Sequence, residues 1–379
     1  MRIFQNLNVD FIGKRKIFYI ISGSLFLLGL INIIFRGLVF GIDFNGGSEI
    51  VLQFEKPVSL STIRGAVDNI GLGSVELKTY GGDNQILMYT ELQNIPPNIY
   101  SRIVGNVEKE IDKILPGIPR SISDSAAKSI TYAFPNPDTT NIIIDKLSEA
   151  GYQTAKVSEA LTNNQMIIKV GIAEWIKENI REKIKDNPFQ VLKEDQIGPK
   201  IGKELKQDAV IAIFLSLLVI LIYLAFRFKF IFAFTAVLAL FHDVLITLGL
   251  YSILYGLIPG LNLKIDLAIV AAFLTLIGYS INDTVVVFDR VRENMKIHKA
   301  MPLYQLMNMS LNKTMGRTVL TGGATLLSIL VILIFGGEVL RAFAFTLFFG
   351  IIIGTYSSIF VASVLVYDYA TKYNKKIQF

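Results

Sequence analysis

Residues Ile265–Phe288 read IDLAIVAAFLTLIGYSINDTVVVF. The run is apolar for most of its length and long enough to cross a bilayer as a helix. Its second half nevertheless carries Tyr279, Ser280, Asn282, Asp283 and Thr284. A carboxylate at that depth costs about 3 kcal/mol or more unless it is partnered or wet. Intramembrane ionisable groups therefore read as ion pathways or binding sites. The stretch points to a membrane helical bundle and makes Asp283 its first candidate functional residue.

Outward from that stretch, hydropathy marks further spans at about Ile17–Phe35, Ala209–Phe226, Phe230–Leu254, Val319–Phe335 and Ala342–Val366, six in all. Composition agrees. Of 379 residues, 52% are hydrophobic and 18% charged, against about a quarter charged in soluble domains. Cysteine is absent and only 2 His are present, which excludes disulfides, thiolate metal sites and a three-His zinc site. There is no HExxH, no GxxxxGK[ST] and no GxSxG, so nucleotide-driven action and the usual nucleophile–base chemistry have no support. The expectation is a protein that is not an enzyme and carries no cofactor. The net charge of +6 lies mostly beside apolar spans, which favours an orientation signal over nucleic-acid binding.

Lys14, Arg15 and Lys16 precede the first span. Arg227 and Lys229 separate the second and third. Arg290, Arg292, Lys296, Lys299 and Lys313 lie between the fourth and fifth, and Lys372, Lys375 and Lys376 follow the sixth. The opposite loops hold only Lys264 and Arg341. Both termini are therefore expected in the cytoplasm, and the long segment between the first two spans outside it. The first apolar run is too long for a signal peptide and no small-x-small site precedes Arg36, so an uncleaved anchor is expected. This gives a cytoplasmic start and first span at 1–36, an external domain at 37–206, the rest of the bundle at 207–368 and a cytoplasmic tail at 369–379.

The external segment reads as an α+β domain. Gly47–Phe54 alternates as a strand, and Ser59–Ile70 has helical spacing through Ile63, Val67 and Ile70. Val75–Tyr80 and Gln85–Tyr89 flank a Gly81-Gly82-Asp83-Asn84 turn, a hairpin signal. Pro97 opens a helix with Ile99, Ile103, Val107 and Ile111 on one face. An echo follows at an offset of about 80 residues: Phe54 and Pro57 recur as Phe134 and Pro137, Ile63 and Val67 as Ile143 and Leu147, Gly71-Leu72 as Gly151-Tyr152, and Asn84-Gln85 as Asn164-Gln165. Each half reads strand–helix–strand–strand–helix, the opening of a ferredoxin-like unit. A tandem pair, at about 47–116 and 127–198, is favoured over one unit with a large insertion. Gly117–Ser125, with Pro119 and several Ser, gives no convincing closing strand.

Several motifs, in this order, carry a resemblance. They are GIDFNGG at Gly41–Gly47, IGPKIGKEL at Ile197–Leu205, and His242-Asp243-Val244 with Thr247 and Gly249. IGYSINDTVVVFDRVREN follows at Ile277–Asn294, LNKTMGRTVLT at Leu311–Thr321, then FGGEVLRAFAF and GTYSSIFVAS in the last two spans. Together they closely resemble the SecD/SecF family of protein-export membrane subunits, on its SecF side, within the resistance–nodulation–division superfamily. The match covers the membrane part and both ends of the external domain and fades over about 116–190.

The resemblance implies an auxiliary role beside a SecD partner, the SecY/SecE/SecG channel and the SecA motor. That role is use of the proton-motive force to complete late translocation and release of unfolded preproteins from the bacterial inner membrane. Protons are the implied coupling ion, with sodium as the other candidate. A small-molecule efflux transporter of the same superfamily is the alternative; against it, such pumps usually carry twelve spans in one chain. A non-transporting scaffold would have no need of Asp243 and Asp283.

On a helix Thr275, Tyr279 and Asp283 share one face, with Asn282 beside them and Thr284 next in line. Small Gly278 is expected to let another helix approach. Asp243 lies near the middle of the third span. Arg317, at the start of the fifth, is the obvious cation for Asp283, and the family pattern carries an Arg there. Burial disfavours a carboxylate and a nearby cation favours it; a carboxyl balanced between them can load and release a proton. The expected relay is Asp283, Arg317, Asp243, Asn282 and Thr284. His242 adjoins Asp243 but points about 100° away on a helix. Asp266 is expected as an interface residue near Lys264. Asp43, Gly46 and Gly47 shape the turn after the first span, and Gly198, Pro199 and Gly202 are the expected hinge into the second.

Overall fold

The computed structural model describes residues 7–373 except 69, 71–74, 93–96, 127–128, 150–151, 159, 161–162, 259–260 and 337. The tail lysines Lys375 and Lys376 and the echo positions Gly71, Leu72 and Gly151 lie outside them. Internal contacts divide the chain into two units, Met1–Phe44 with Lys203–Phe379, and Asn45–Gly202.

In chain order the first unit opens with α1 (Arg15–Arg36) and the short α2 (Ile42–Asn45). The second contains β1 (Gly47–Phe54), α3 (Leu60–Val67), β2 (Glu76–Thr79), β3 (Gln85–Thr90), α4 (Pro97–Ile114) and β4 (Ser121–Ala126). It continues with β5 (Ser129–Ala133), α5 (Pro137–Glu149), β6 (Thr154–Lys156), β7 (Gln165–Lys169), α6 (Ile172–Lys183) and β8 (Phe189–Ile197). The chain then runs through α7 (Pro199–Arg227), α8 (Phe230–Leu254), α9 (Leu267–Ile297), α10 (Leu303–Phe335) and α11 (Glu338–Ser357). A π-helical turn, Ser358–Ala362, joins α11 to α12 (Ser363–Lys372).

Among the described residues six helices are long and apolar enough to cross a membrane, with Leu340–Lys372 forming the last. The fourth starts later than hydropathy suggests. Ile265 leaves the helix to form a parallel bridge with Phe40. Asp266 is the N-cap of α9, accepting from Ile269 N at 2.8 Å, a role its neighbour Lys264 had obscured. Asp43 Oδ2 accepts from Leu267 N at 2.8 Å. Two carboxylates thus satisfy donors that the first turn of a helix leaves open.

Glycines decide how closely the helices approach. A Cβ on Gly249 of α8 would stand 2.6 Å from the Cα of Gly29 on α1, so the two backbones touch, as small residues permit in membranes. On α11 a Cβ at Gly350 would meet Leu276 at 2.6 Å, and one at Gly354 would meet Ser280 at 2.8 Å. This Gly-x-x-x-Gly face draws α11 onto α9. Gly278, the expected point of approach, has nothing within 4 Å of such a Cβ. The close contact lies on the neighbouring face of α9, because the partner helix, not α9, supplies the glycines. Around these crossings two apolar clusters fill the bundle, one on Phe232, Phe288 and Leu311, the other on Tyr251, Phe273 and Phe345.

The second unit holds two antiparallel sheets, ordered β2-β3-β1-β8 and β4-β5-β7-β6. The internal echo is physical. Asn84 Nδ2 donates to Phe54 O at 3.0 Å, and Asn164 Nδ2 donates to Phe134 O at 2.7 Å. Ile63, Val67, Ile143 and Leu147 all enter one core with Trp175 and Tyr132. The copies are not self-contained, however, which corrects the expected succession of units at 47–116 and 127–198. β8, at the end of the second copy, completes the first sheet; β4, following the first copy, completes the second. The helices exchange with them, α6 packing on α3 and α4 on α5. Trp175 Nε1 donates to Ile70 O at 2.8 Å, and Asn187 bonds both Lys56 N (2.9 Å) and Lys56 O (3.0 Å). The closing strand missed in Gly117–Ser125 is β4. It is a sheet edge with a register shift between Ile122 and Asp124, and an edge needs neither a buried face nor regular alternation.

Pro199 begins α7, and Gly202 N donates to Gly198 O at 3.0 Å. The proposed hinge residues therefore open an unbroken helix. Gly46 and Gly47 have φ of 74° and 129°, a region that only glycine enters readily. A Cβ on Gly47 would stand 2.5 Å from Thr90 O.

Candidate functional site

Asp243 is 1% exposed and sits where α8, α9 and the end of α11 meet. Its Oδ2 accepts from Ser280 Oγ at 2.6 Å and from Ser357 Oγ at 2.7 Å. Its Oδ1 lies 2.9 Å from His242 Nδ1. The sequence expectation that His242 points away is corrected: successive Cβ atoms diverge on a helix, but the imidazole is long enough to fold back. His242 Nε2 is buried, with no hydrogen-bond partner among the described residues. Thr247 Oγ1 donates to Asp243 O at 2.8 Å, closing the group. A buried carboxylate is tolerable when donors surround it, and this one has three.

Ser357 is brought to Asp243 by the Gly350–Gly354 face and by the π-helical turn that follows it. Ser363 Oγ donates to Ser358 O at 2.8 Å across that turn. π-helical turns recur at functional sites because they re-aim side chains.

Asp283 lies one helical turn from Ser280 on α9, half-buried, with Thr355 Oγ1 donating to its Oδ2 at 3.0 Å. The two residues share a cavity of about 40 Å³, lined also by Tyr279, Asn282, Thr321, Gly322, Thr325, Ile351 and Thr355. That is room for water in a polar setting. Arg317 on α10 is exposed and near enough for its charge to act on Asp283, though the two side chains are not in ion-pair contact. Asn282 is exposed beside the cavity. Thr284 is fully buried and spends its hydroxyl on Ser280 O at 3.2 Å.

The expected relay residues thus fall into a closed cluster around Asp243 and an open one around Asp283. Ser280 belongs to both. Ser280, Thr355 and Ser357 had no assigned role in the sequence. Ser280 was visible only as one of the polar residues of the fourth span, and Thr355 and Ser357 only as part of a run of hydroxyl residues after a Gly-x-x-x-Gly, at Gly350–Ser358. Asp43, Gly46, Gly47, Gly198, Pro199 and Gly202 lie at the chain connections described above.

Residues 176–372 match the family model for the protein export membrane protein SecD/SecF, C-terminal, and residues 31–58 match the SecD/SecF GG motif. The second match spans Gly46 and Gly47. The chain is 38% identical to the protein translocase subunit SecF of Rhodothermus marinus, over 97% of this chain and 95% of that one. It is 36% identical to the SecF subunit of Calditerrivibrio nitroreducens, over 95% and 93%. Among solved structures it is similar to SecDF, a translocon-associated membrane protein, from Thermus thermophilus, with TM-score 0.64 and 28% identity. That likeness covers 98% of this chain and 40% of the SecDF chain. This membrane protein belongs to the SecD/SecF family.

Proposed function

We infer that the protein is an auxiliary subunit of the protein-export machinery. With a SecD partner it uses the proton-motive force to promote late translocation and release of preproteins at the channel and its motor. Its bundle sits in the inner membrane with both termini cytoplasmic, and its sheet-bearing unit, of ferredoxin-like character, lies outside. The subunit is a resistance–nodulation–division protein, without enzymatic activity or cofactor, coupled to protons. The structural match to a SecDF chain supports the partner, and the basic loops support the orientation.

One observation carries the coupling. A half-buried carboxylate, Asp283, lines a polar cavity within an apolar bundle, with Arg317 nearby. When Asp283 is ionised, Arg317 is drawn towards it. When a proton neutralises it, that attraction ends and α10 is released relative to α9. Each charge carried across the membrane is worth about 2.3 kcal/mol per 100 mV, enough to bias such a two-position element.

Asp283→Asn keeps the shape and fixes the neutral state. Preprotein release from spheroplasts or inverted vesicles, with and without a proton gradient, is the test. Normal insertion with loss of the gradient-dependent part is expected. Gradient-stimulated release at the wild-type level would make Asp283 a structural group. Asp283→Glu retains part of the activity because it still titrates.

A further inference from the structure

Ser280 is 3% exposed and belongs to two polar groups at once. It lines the cavity that holds Asp283, and its hydroxyl donates to Asp243 Oδ2 at 2.6 Å. Beyond Asp243 stands His242, whose Nδ1 faces Oδ1 at 2.9 Å and whose buried Nε2 has no partner among the described residues. A continuous line of proton-carrying groups therefore runs from the cavity through one hydroxyl to a buried carboxyl–imidazole pair.

We propose that Ser280 is a relay hydroxyl and that the Asp243–His242 pair is a second, internal proton acceptor of the bundle. The inference rests on the proton-coupled function above and adds to it a store behind the cavity. The step balances. A proton from the cavity binds Ser280 Oγ while Ser280 passes its own hydroxyl proton to Asp243 Oδ2. Two bonds to hydrogen break, one at the cavity donor (protonated water or the Asp283 carboxyl) and the old one at Ser280; two form, at Ser280 and at Asp243, so the hydroxyl is restored. Asp243 then shares the proton with His242 through the Oδ1–Nδ1 contact; release reverses the sequence. Two bases joined by a short contact can hold one proton between them.

Among the described residues, the acidic group that shares the cavity with this relay is Asp283. On α8 the neighbour is His242; on α9 Asp283 and Tyr279 line the cavity, and Arg317 of α10 is near enough for its charge to act on Asp283. From α11 come the hydroxyls of Ser357 and Thr355, while Tyr356 donates away to Phe18 O at 2.9 Å. On α1, Tyr19 donates to Asp368 of α12 at 2.9 Å, and α1 meets α8 at Gly29.

A structural knot would show the same hydrogen bonds but would not carry protons. The rate at which Asp243 exchanges its proton separates the two. The full chain is purified into vesicles of phosphatidylethanolamine and phosphatidylglycerol. Asp243 is identified as the protonated-carboxyl infrared band that Asp243→Asn removes. After a switch to D₂O, Ser280→Ala is expected to slow the shift of that band at least about tenfold, equivalent to about 1.4 kcal/mol of barrier. Ser280→Thr, which restores a hydroxyl, should return it to within about threefold. His242→Gln should move the pH at which the band appears.

Gradient-stimulated preprotein release is measured on the same variants, with Asp283→Asn alongside and thermal melts to confirm folding. Loss of gradient stimulation in Ser280→Ala with rescue by Ser280→Thr supports the relay. Wild-type exchange and release in Ser280→Ala, with release lost in Asp283→Asn, overturns the relay and leaves the proton-coupled function standing. Wild-type release in Asp283→Asn overturns that function instead, and slowed exchange in Ser280→Ala then supports the relay by itself. Absence of any Asp243 band from mildly acidic to mildly alkaline pH overturns the internal acceptor.

Discussion

Asp243 and Asp283 are both aspartates inside apolar spans, and they are held in opposite ways. Asp243 is enclosed and met by two hydroxyls and an imidazole. Asp283 has a single hydroxyl donor and an open polar cavity. A saturated carboxyl changes charge slowly, because every donor aimed at it must readjust. A carboxyl with one donor and access to water can change state with little rearrangement. The bundle thus separates a site built to hold from a site built to exchange, one helical turn apart on α9 and connected by Ser280.

The contrast predicts different costs. Asp243→Ala leaves the hydroxyls of Ser280 and Ser357 and the ring of His242 without their common partner. At about 0.6–1.7 kcal/mol for each of the three such bonds within a membrane bundle, the loss should total about 2–5 kcal/mol. Thermal or chemical unfolding of the purified chain in detergent measures it. A loss smaller than that of Asp283→Ala would reverse the assignment of the two sites.

Gly354→Val attacks the packing that creates the closed site. The added Cβ would stand 2.8 Å from that of Ser280, so α11 must move and carry Ser357 away from Asp243. Overpacking of this kind costs about 1–3 kcal/mol. Gly278→Ala is the matched control on α9, where nothing lies within 4 Å, and it should leave the melting temperature unchanged or slightly raised. Equal losses in the two variants would show that α11 does not depend on the Gly-x-x-x-Gly face.

Asp283→Asn should move stability by less than about 0.5 kcal/mol, the usual size of a change that strands no buried group. Arg317→Lys and Arg317→Met sharpen the same point. A milder effect of Lys on gradient-dependent release means that only charge is needed; equal severity means that the planar guanidinium matters.

Much of the architecture was legible because it is written in local periodicity. The strand Gly47–Phe54 has the same limits in sequence and structure, and Ile99, Ile103, Val107 and Ile111 are the buried face of α4. The echo of Asn84 in Asn164 is a repeated hydrogen bond. What periodicity cannot carry is the choice of distant partners. β1 has equal alternation whether β4 or β8 pairs with it, so the exchange of arms between the two copies left no local trace. The candidate site divides along the same line. Asp243, Asp283 and Arg317 stand out as charges in apolar or flanking positions. Ser357 does not, because one serine among several acquires meaning only when glycines on α11 and a π-helical turn bring it to Asp243.

Asp10 offers the smallest effect and the cleanest control on burial. Like Asp243 it has three donors: the hydroxyl of Tyr304, Asn308 Nδ2 at 2.8 Å and Gly13 N at 2.9 Å. Unlike Asp243 it stands in water outside the spans. The Tyr304 hydroxyl first, then the Gly13 amide, hold its carboxyl below the usual carboxylate range. Its folded value is lower than its free-chain value. The clasp is therefore complete above the ordinary carboxylate value and weakens as pH falls through the depressed one. The amides of Val9 and Ile12, which donate to Asn312 and Asn308 at 2.9 and 3.0 Å, report on that clasp. Their hydrogen-exchange protection, corrected for intrinsic rates, should drop modestly on acidification in the wild-type chain. In Asp10→Asn it should be lower at neutral pH and flat across the acidic range. An unchanged acid profile in Asp10→Asn would mean that another group titrates there. A flat profile alongside a marked stability loss in Asp243→Ala would show that the same number of donors is worth far more where water cannot replace them.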